Sequence, residues 1–509
     1  MNREPIERAE ALAPDDVRDL RARLLAAGYT LDAVLERIGE AGQSGLLRNS
    51  TVPAEVAIAG VADPQATLIR LWLLQLRVSE VAAAHALDLS PLLDAGILRR
   101  DGDMIRAGVD IRPYGGDQPV RGESDSGWVV SDLAPGMNQV TTPTRPDYVL
   151  GVSPASTSLA QLTARRPVGS ALDLGTGCGV QALHLGRHAR RVVGTDVNRR
   201  ALRLAALTAA LNDADIDLRE GSLYGPVEGE RFDLIVTNPP YVMSPPTTDA
   251  ARLTYREGTF GGDGLVRAVV EQAPAHLTDG GMLQVLGNWA MVDAVPWQER
   301  LASWVEGTGC DLWVVERERL DIYDYIEIWL TDAGLAGSPL WRPRYDQWLD
   351  YFSGLGITGV GMGWLTLTNA HRDQPDIEVE SWPHAVEQPV GPVIARRSNA
   401  VTAATLAVGD LLQGRWRLDG SVSEETIGEP GAADPAHVVL RSDTGLRRAI
   451  KVSTLTGGVL GACDGELSLG GIIGAVASLL SVPVAEAIAE TVPLVRRALR
   501  EGLLVDAGA

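Results

Sequence analysis

The stretch Ala171-Leu172-Asp173-Leu174-Gly175-Thr176-Gly177-Cys178-Gly179 decides how this chain is read. An apolar strand ends in a carboxylate, and three glycines follow at alternate positions before a helix. Glycine enters backbone conformations closed to other residues and lets a ligand lie directly on the main chain. Proteins that grip a pyrophosphate at such a turn favour the spacing GxGxxG. Here the spacing is GxGxG behind an aspartate, which suits a ligand without pyrophosphate.

The neighbouring segments extend that reading. Asp196 lies 23 positions after Asp173, at the end of Val192-Val193-Gly194-Thr195 and next to Val197. A carboxylate at the tip of an adjacent strand can accept both ribose hydroxyls of an adenosine. It can equally cap the helix that opens at Asn198 and Arg199. After the next strand, Glu220-Gly221-Ser222-Leu223 offers main chain and a small hydroxyl to border an adenine ring, or simply a turn. The fourth segment, Phe232 to Thr237, is a buried strand running into Asn238-Pro239-Pro240-Tyr241. Two prolines cannot extend a sheet, so the chain leaves it in a stiff, extended turn. An amide or exocyclic amino nitrogen is a poor nucleophile because its lone pair is delocalised. The Asn238 side-chain oxygen and the Pro239 carbonyl can each accept one N–H and free that lone pair for an in-line methyl. Tyr241 offers a face to a planar group.

From about 120 to 335 strands and helices alternate, the pattern of a doubly wound parallel sheet. Strands are expected at Ala171–Leu174, Val192–Thr195, Ile216–Arg219, Asp233–Thr237, Met282–Leu286, Leu312–Glu316 and Ile326–Leu330. Helices are expected between them, as at Arg199–Leu211 and Gly264–His276.

These motifs resemble class I S-adenosyl-L-methionine-dependent methyltransferases with an NPPY motif. That group includes glutamine N5-, adenine N6- and rRNA guanine N2-methyltransferases. The resemblance covers residues 145–335 and implies a Rossmann-like, seven-stranded α/β sheet. It implies that Asp173, Gly175, Thr176, Gly177 and Gly179 line the cofactor pocket, with Asp196 on the ribose and Val197, Ser222, Leu223 and Asn238 bordering the rest. Asn238, Pro239, Pro240 and Tyr241 would hold the acceptor nitrogen. Gly261-Gly262-Asp263-Gly264-Leu265 is similar to a GGxxGL-type loop of the glutamine enzymes, shortened here. Gly151-Val152-Ser153-Pro154 lies where the family closes over the methionine end. Position 222 departs from the family: it is serine where many relatives carry an acid.

The flanks carry no such resemblance. Residues 1–115 read as helical: Val17, Leu20 and Leu24, then Leu31, Val34, Leu35 and Ile38, have amphipathic spacing. Residues 66–78 form a more buried helix, and 90–107 give a helix, a Gly96 stop and a hairpin at Asp101-Gly102. The expected shape is winged-helix-like, a cover for the catalytic domain (116–335) rather than a nucleic-acid reader. Residues 336–509 read as an α+β region. Its stretch 348–369 has glycine-punctuated strands packing on the sheet, Gly428-Glu429-Pro430-Gly431 is a loop, and 464–506 is a small helical recognition-like module.

Composition limits the partners. The chain has 509 residues and net charge −21, and no third is basic: 1–150 carries 15 basic and 22 acidic side chains, and 151–335 carries 16 and 24. A broad nucleic-acid footprint is therefore not written in the charge, although arginines near Arg187, Arg190, Arg191, Arg199, Arg200 and Arg203 leave room for a local groove. Solvated helix faces are the preferred explanation of those clusters. Cys178, Cys310 and Cys463 have neither disulfide nor zinc spacing, and the charged N-terminus has no apolar leader, so a cytoplasmic protein is expected. The uncharged run 467–485, broken by glycine and proline, reads as a buried helix pair and not a membrane span. His184 and His188 have a chelating spacing but lack the glutamate of HExxH, so no metal is expected.

The sequence thus points to a methyltransferase acting on a planar NH2 of a macromolecule: adenine or guanine in RNA or DNA, or a protein glutamine. Two readings compete: a cofactor-binding scaffold without turnover, which needs no acceptor-orienting groups, and an NAD-dependent oxidoreductase, which rests only on the glycine turn and Asp196.

Overall fold

The structure is a computed structural model, and it describes residues 12–115, 126–139, 145–246, 260–429 and 437–508. Its centre is an eight-stranded sheet. In chain order the strands are β1 (Val168–Leu174), β2 (Ala189–Asp196), β3 (Asp217–Glu220), β4 (Phe232–Thr237), β5 (Leu277–Val292), β6 (Asp311–Asp321), β7 (Ile357–Thr368) and β8 (Ile377–Ser381). Across the sheet they run β3-β2-β1-β4-β5-β7-β6-β8. β1 pairs in parallel with both β2 and β4, β2 with β3, and β5 with β4. The connections include α1 (Val180–Gly186), α2 (Arg199–Leu211), α3 (Gly264–His276), α4 (Ile322–Asp332) and α5 (Trp341–Leu355). The order reverses between β1 and β4, and such a switch point opens a crevice at the carboxyl ends of the strands.

Six of the seven expected strands lie where the pattern put them. The seventh, Ile326–Leu330, is helix α4 instead. Ile326, Ile328 and Leu330 alternate like a strand, yet the buried or partly buried positions Ile322, Tyr325, Ile326, Trp329 and Leu330 follow helical spacing. Asp321 starts the helix by accepting the N–H groups of Tyr323 and Asp324, both at 2.8 Å. Its place in the sheet is taken by β7, from the stretch expected to pack on the sheet. β7 and β8 lie beyond residue 335, so the sheet outruns that boundary. The glycines of β7 have a steric purpose: a Cβ on Gly361 would stand 2.2 Å from Trp289 Nε1, and one on Gly359 3.1 Å from the Leu320 carbonyl.

The chain divides into two compact units: Met1–Ala160 with Pro167–Glu306 and Glu318–Leu365, and Gln161–Arg166 with Gly307–Arg317 and Thr366–Ala509. In the first, helices Pro14–Ala26, Leu31–Leu46 and Val52–Ala57 come before a segment of helices and a hairpin. There a helical run over Pro64–Leu73 and the short helices Glu80–Ala86 and Leu89–Asp94 accompany a three-stranded sheet. Its hairpin turns at Asp101-Gly102, where Gly102 has φ +66°. These helices share one core with the sheet layer: Leu20, Leu24, Trp72 and Trp128 bury together with Ala201, Leu204 and Leu211 of α2. Arg200, read from sequence as part of a solvated or groove-lining cluster, is buried in α2 and paired with Asp132.

In the second unit, helices Thr454–Gly461, Leu469–Leu479 and Val484–Arg500 pack together. Strand Trp416–Leu418 pairs antiparallel with Leu504–Asp506. The uncharged run 467–485 is split between two of these helices, and no helix among the described residues is long and apolar enough to cross a membrane. Of the loop Gly428-Glu429-Pro430-Gly431, the last two residues lie outside the described residues.

Candidate active site

The register of the sheet assembles the segments that the sequence singled out. Leu174 at the end of β1 faces Thr195 of β2 on one side and Thr237 of β4 on the other, and Asp196 faces Glu220 of β3. The four strand ends therefore meet at one edge of the sheet. Thr237 Oγ1 donates to the Leu174 carbonyl at 2.7 Å, and the N–H groups of Gly175 and Thr176 both donate to the Thr195 carbonyl, at 2.9 and 2.8 Å. The glycine turn and the Asn238 turn are thus fixed side by side.

Within the turn, Gly175, Gly177 and Gly179 have φ of +78°, +55° and +84°, which favours glycine at all three. A Cβ on Gly175 or Gly177 would meet nothing within 4 Å, so the chain there borders open space. At Gly179 a Cβ would stand 3.2 Å from that of Ala205, so this glycine serves helix packing instead. Asp173 lies beneath the turn and is buried. Its Oδ2 accepts from Thr176 Oγ1 at 2.6 Å and from the Ala182 N–H at 3.0 Å. Burial pushes its pKa up to about 7 against the pull of those two bonds.

Asp196 is held by main chain. Its Oδ2 accepts from the Gly177 N–H at 2.9 Å, its Oδ1 from the Asn198 N–H at 2.8 Å, and burial raises its pKa. The cap of α2 is Asn198, whose side chain accepts from the Arg200 N–H. Asp196 instead ties β2 to the glycine turn. Beside it Val197 is 52% exposed, an apolar side chain left at the surface. Ser222 is exposed, and Leu223 has φ +48°, a strained conformation for a bulky residue and one often kept at functional sites.

Asn238 carries the most telling atom. Its Oδ1 is buried and has no hydrogen-bond partner among the described residues. Leaving such an acceptor unpaired costs about 1–3 kcal/mol, so the atom asks for a donor. Tyr241 is half-buried, with its ring edge-on to Trp329 of α4 at 6.5 Å and its hydroxyl pKa raised by burial. The turn Gly261–Gly264 anchors α3: Asp263 pairs through both oxygens with Arg300, and its Oδ2 also accepts from the Ala290 N–H at 2.8 Å. Ser153 caps the helix Pro154–Leu162, and the Ser156 carbonyl of that helix accepts from Gln181 Nε2 of α1 at 2.7 Å. His184 bonds the Tyr114 hydroxyl at 2.7 Å. No group of three or more His, Cys, Asp or Glu among the described residues is placed to hold a metal.

Sequence reasoning missed Asn288, Tyr325 and Tyr351. Tyr325 Oη accepts from the Met243 N–H at 3.1 Å and from Asn288 Nδ2 at 3.3 Å, and Tyr351 Oη accepts from the Gly262 N–H at 2.8 Å. The helical spacing around Tyr325 signals its burial but not the task of its hydroxyl.

Fold and strand-end constellation together define a doubly wound α/β domain whose conspicuous turns share the carboxyl edge of the sheet. Residues 151–295 match the methyltransferase small domain, and residues 26–108 match a domain of unknown function, DUF7059. The chain is 39% identical over 132 residues to a release factor glutamine methyltransferase of Xylella fastidiosa, covering 24% of this chain and 48% of that protein. It is 35% identical over 128 residues to a ribosomal protein uL3 glutamine methyltransferase of Bradyrhizobium diazoefficiens, covering 23% and 40%. It is 31% identical over 121 residues to a ribosomal RNA small subunit methyltransferase C of Alcanivorax borkumensis, covering 24% and 32%. The chain thus spans about half the length of the first of these relatives, and less of the other two.

Proposed function

We propose that this chain is an S-adenosyl-L-methionine-dependent N-methyltransferase whose acceptor is the side-chain amide of a protein glutamine. The observation that carries the reading is the buried Asn238 Oδ1, without a partner among the described residues, beside the open glycine turn. An amide NH2 presents two N–H donors. Asn238 Oδ1 accepts one and the Pro239 carbonyl the other, which turns the nitrogen lone pair toward the methyl. Asp196 holds the ribose hydroxyls, Val197 and Leu223 border the adenine with Ser222, and Gly175 and Gly177 leave room for the ligand on the main chain. When bound, S-adenosylmethionine supplies an electrophilic methyl on a sulfonium. The nitrogen needs no prior deprotonation, since it sheds its proton after transfer.

Charge favours a protein acceptor over a nucleic acid. From Asp321 to Gly356, around the helices that meet Tyr241, the chain has six Asp and Glu but only two Arg. Arg191, Arg199, Arg200, Arg219 and Arg300 are paired with carboxylates of the chain itself. Such a charge balance disfavours phosphate and favours a basic polypeptide. The 31% identity to a ribosomal RNA small subunit methyltransferase favours the second reading, an adenine or guanine acceptor.

Asn238→Ala tests the assignment. Binding of S-adenosylhomocysteine, followed by calorimetry, should stay within about twofold while methyl transfer is lost, because the side chain acts on the acceptor. Collapse of cofactor binding would make Asn238 structural, and binding of NAD in place of S-adenosylhomocysteine would overturn the reading.

A further inference from the structure

Between β6 and β7 the chain makes an α-helical hairpin, α4 and α5, whose apolar faces meet in an aromatic cluster. Tyr325 is fully buried at its centre, with ring centroids 6.0 Å from Trp329, 6.2 Å from Trp348 and 6.0 Å from Phe352. A tyrosine buried among aromatics would pack as well as phenylalanine, so the hydroxyl needs its own explanation. Tyr325 Oη accepts the Met243 N–H, in the loop after Asn238-Pro239-Pro240-Tyr241, and the amide of Asn288 on β5. Tyr351 on α5 does the same elsewhere: its Oη accepts the Gly262 N–H at 2.8 Å, in the turn that opens α3.

The acceptor turn needs such an anchor. Pro239 and Pro240 have no N–H, so that part of the turn cannot be held by donating to a neighbouring strand. Their rings do make it stiff, so an anchor at Met243 is transmitted back along the chain. The same helix grips the side chain of the motif, because Trp329, one turn after Tyr325, meets the Tyr241 ring. Backbone and ring of the acceptor turn are thereby located by two residues of α4 at i and i+4.

We infer that the hairpin α4–α5 is the positioning element of the acceptor site, and that the hydroxyls of Tyr325 and Tyr351 are positioning residues for methyl transfer. The inference rests on the methyltransferase reading above. Neither hydroxyl exchanges a proton with the substrate. Each fixes a loop whose displacement by about 1 Å would misalign acceptor and methyl, an error that can lower turnover by about a hundredfold.

The experiment compares the full-length protein with Tyr325→Phe, Tyr351→Phe and the double variant. Phenylalanine keeps the ring packing, so circular dichroism and the affinity for S-adenosylhomocysteine should match the parent. Turnover with tritiated cofactor and a responding protein fraction should fall about ten- to hundredfold in Tyr325→Phe, with KM for the cofactor unchanged. Asn288→Ala combined with Tyr325→Phe should add little to Tyr325→Phe alone, since both act through one hydroxyl. Unchanged turnover in both tyrosine variants overturns the inference. So does a loss of turnover that merely tracks a loss of folded protein or of cofactor affinity. A parent protein that transfers no methyl to any fraction would fail the methyltransferase reading instead.

Discussion

At Asp173 and Asp196, burial and hydrogen bonding pull in opposite directions. Both carboxylates accept two bonds, which should lower their pKa, and in both desolvation is the larger effect. For Asp173 this has a sign that can be measured. Between the ordinary carboxylate range and about pH 7, the folded protein keeps a proton at Asp173 that the unfolded chain has lost. Stability should therefore fall as pH rises through that window. Asp173→Asn should flatten this part of the curve in urea titrations from pH 5 to pH 8, leaving whatever slope Asp196 contributes in the same direction. A slope as steep as the parent's would contradict the assignment. Asp196→Ala should weaken S-adenosylhomocysteine binding by about 1–3 kcal/mol, read by calorimetry, because ribose hydroxyls would lose their acceptor. Unchanged affinity would move the pocket elsewhere. Asp173, Asp196 and Asn238 were all legible in the sequence, because each stands just ahead of a local signal: alternating glycines, a helix start, two prolines. Tyr325 and Tyr351 were not, since nothing local distinguishes a tyrosine packed for its ring from one packed for its hydroxyl.

At the level of elements, the sheet was readable as far as β6 and then was not. β1, β2, β4, β5 and β6 hold apolar runs bounded by turn residues, β3 is short and mostly charged, and each lies where expected. The run from Ile326 to Leu330 satisfies a strand pattern over five residues, and only the wider window from Ile322 exposes its helical period. The true partner strand, β7, was disguised by Gly359, Gly361 and Gly363, which depress strand propensity, although Gly361 makes room for Trp289 and Gly359 for β6. The start of α4 depends on the Asp321 cap. Asp321→Ala should cost about 1 kcal/mol of stability in thermal or urea unfolding. If α4 locates the acceptor turn, the same variant should lose more activity than its loss of folded protein explains. An Asp321→Ala protein of parental stability would show that packing alone holds the helix.

Over the whole molecule, the sequence separated an N-terminal region from a catalytic one, and the core does not respect that division. Trp72 and Trp128 are buried in the same cluster as Leu204 and Leu211 of α2, and Asp132 neutralises Arg200 inside it. Side chains far apart in the sequence can share one core, and periodicity within a single helix says nothing about its partner. Arg200→Met should leave Asp132 as an unpaired buried charge and destabilise the protein by about 3–5 kcal/mol in urea unfolding. A small effect would mean that the pair is more hydrated than its burial indicates. The acceptor was the least legible feature. On the proposed function the motif calls for a planar NH2, while the net charge of −21 and the acidic surroundings of α4 and α5 bear on the molecule that carries it. The most direct measurement is to incubate the protein with tritiated S-adenosylmethionine and an extract from cells lacking it, then separate protein from RNA and DNA. Label in protein that is lost with Asn238→Ala, and found as N5-methylglutamine after digestion, is the expected result. Label confined to nucleic acid, or no label in any fraction, would contradict it.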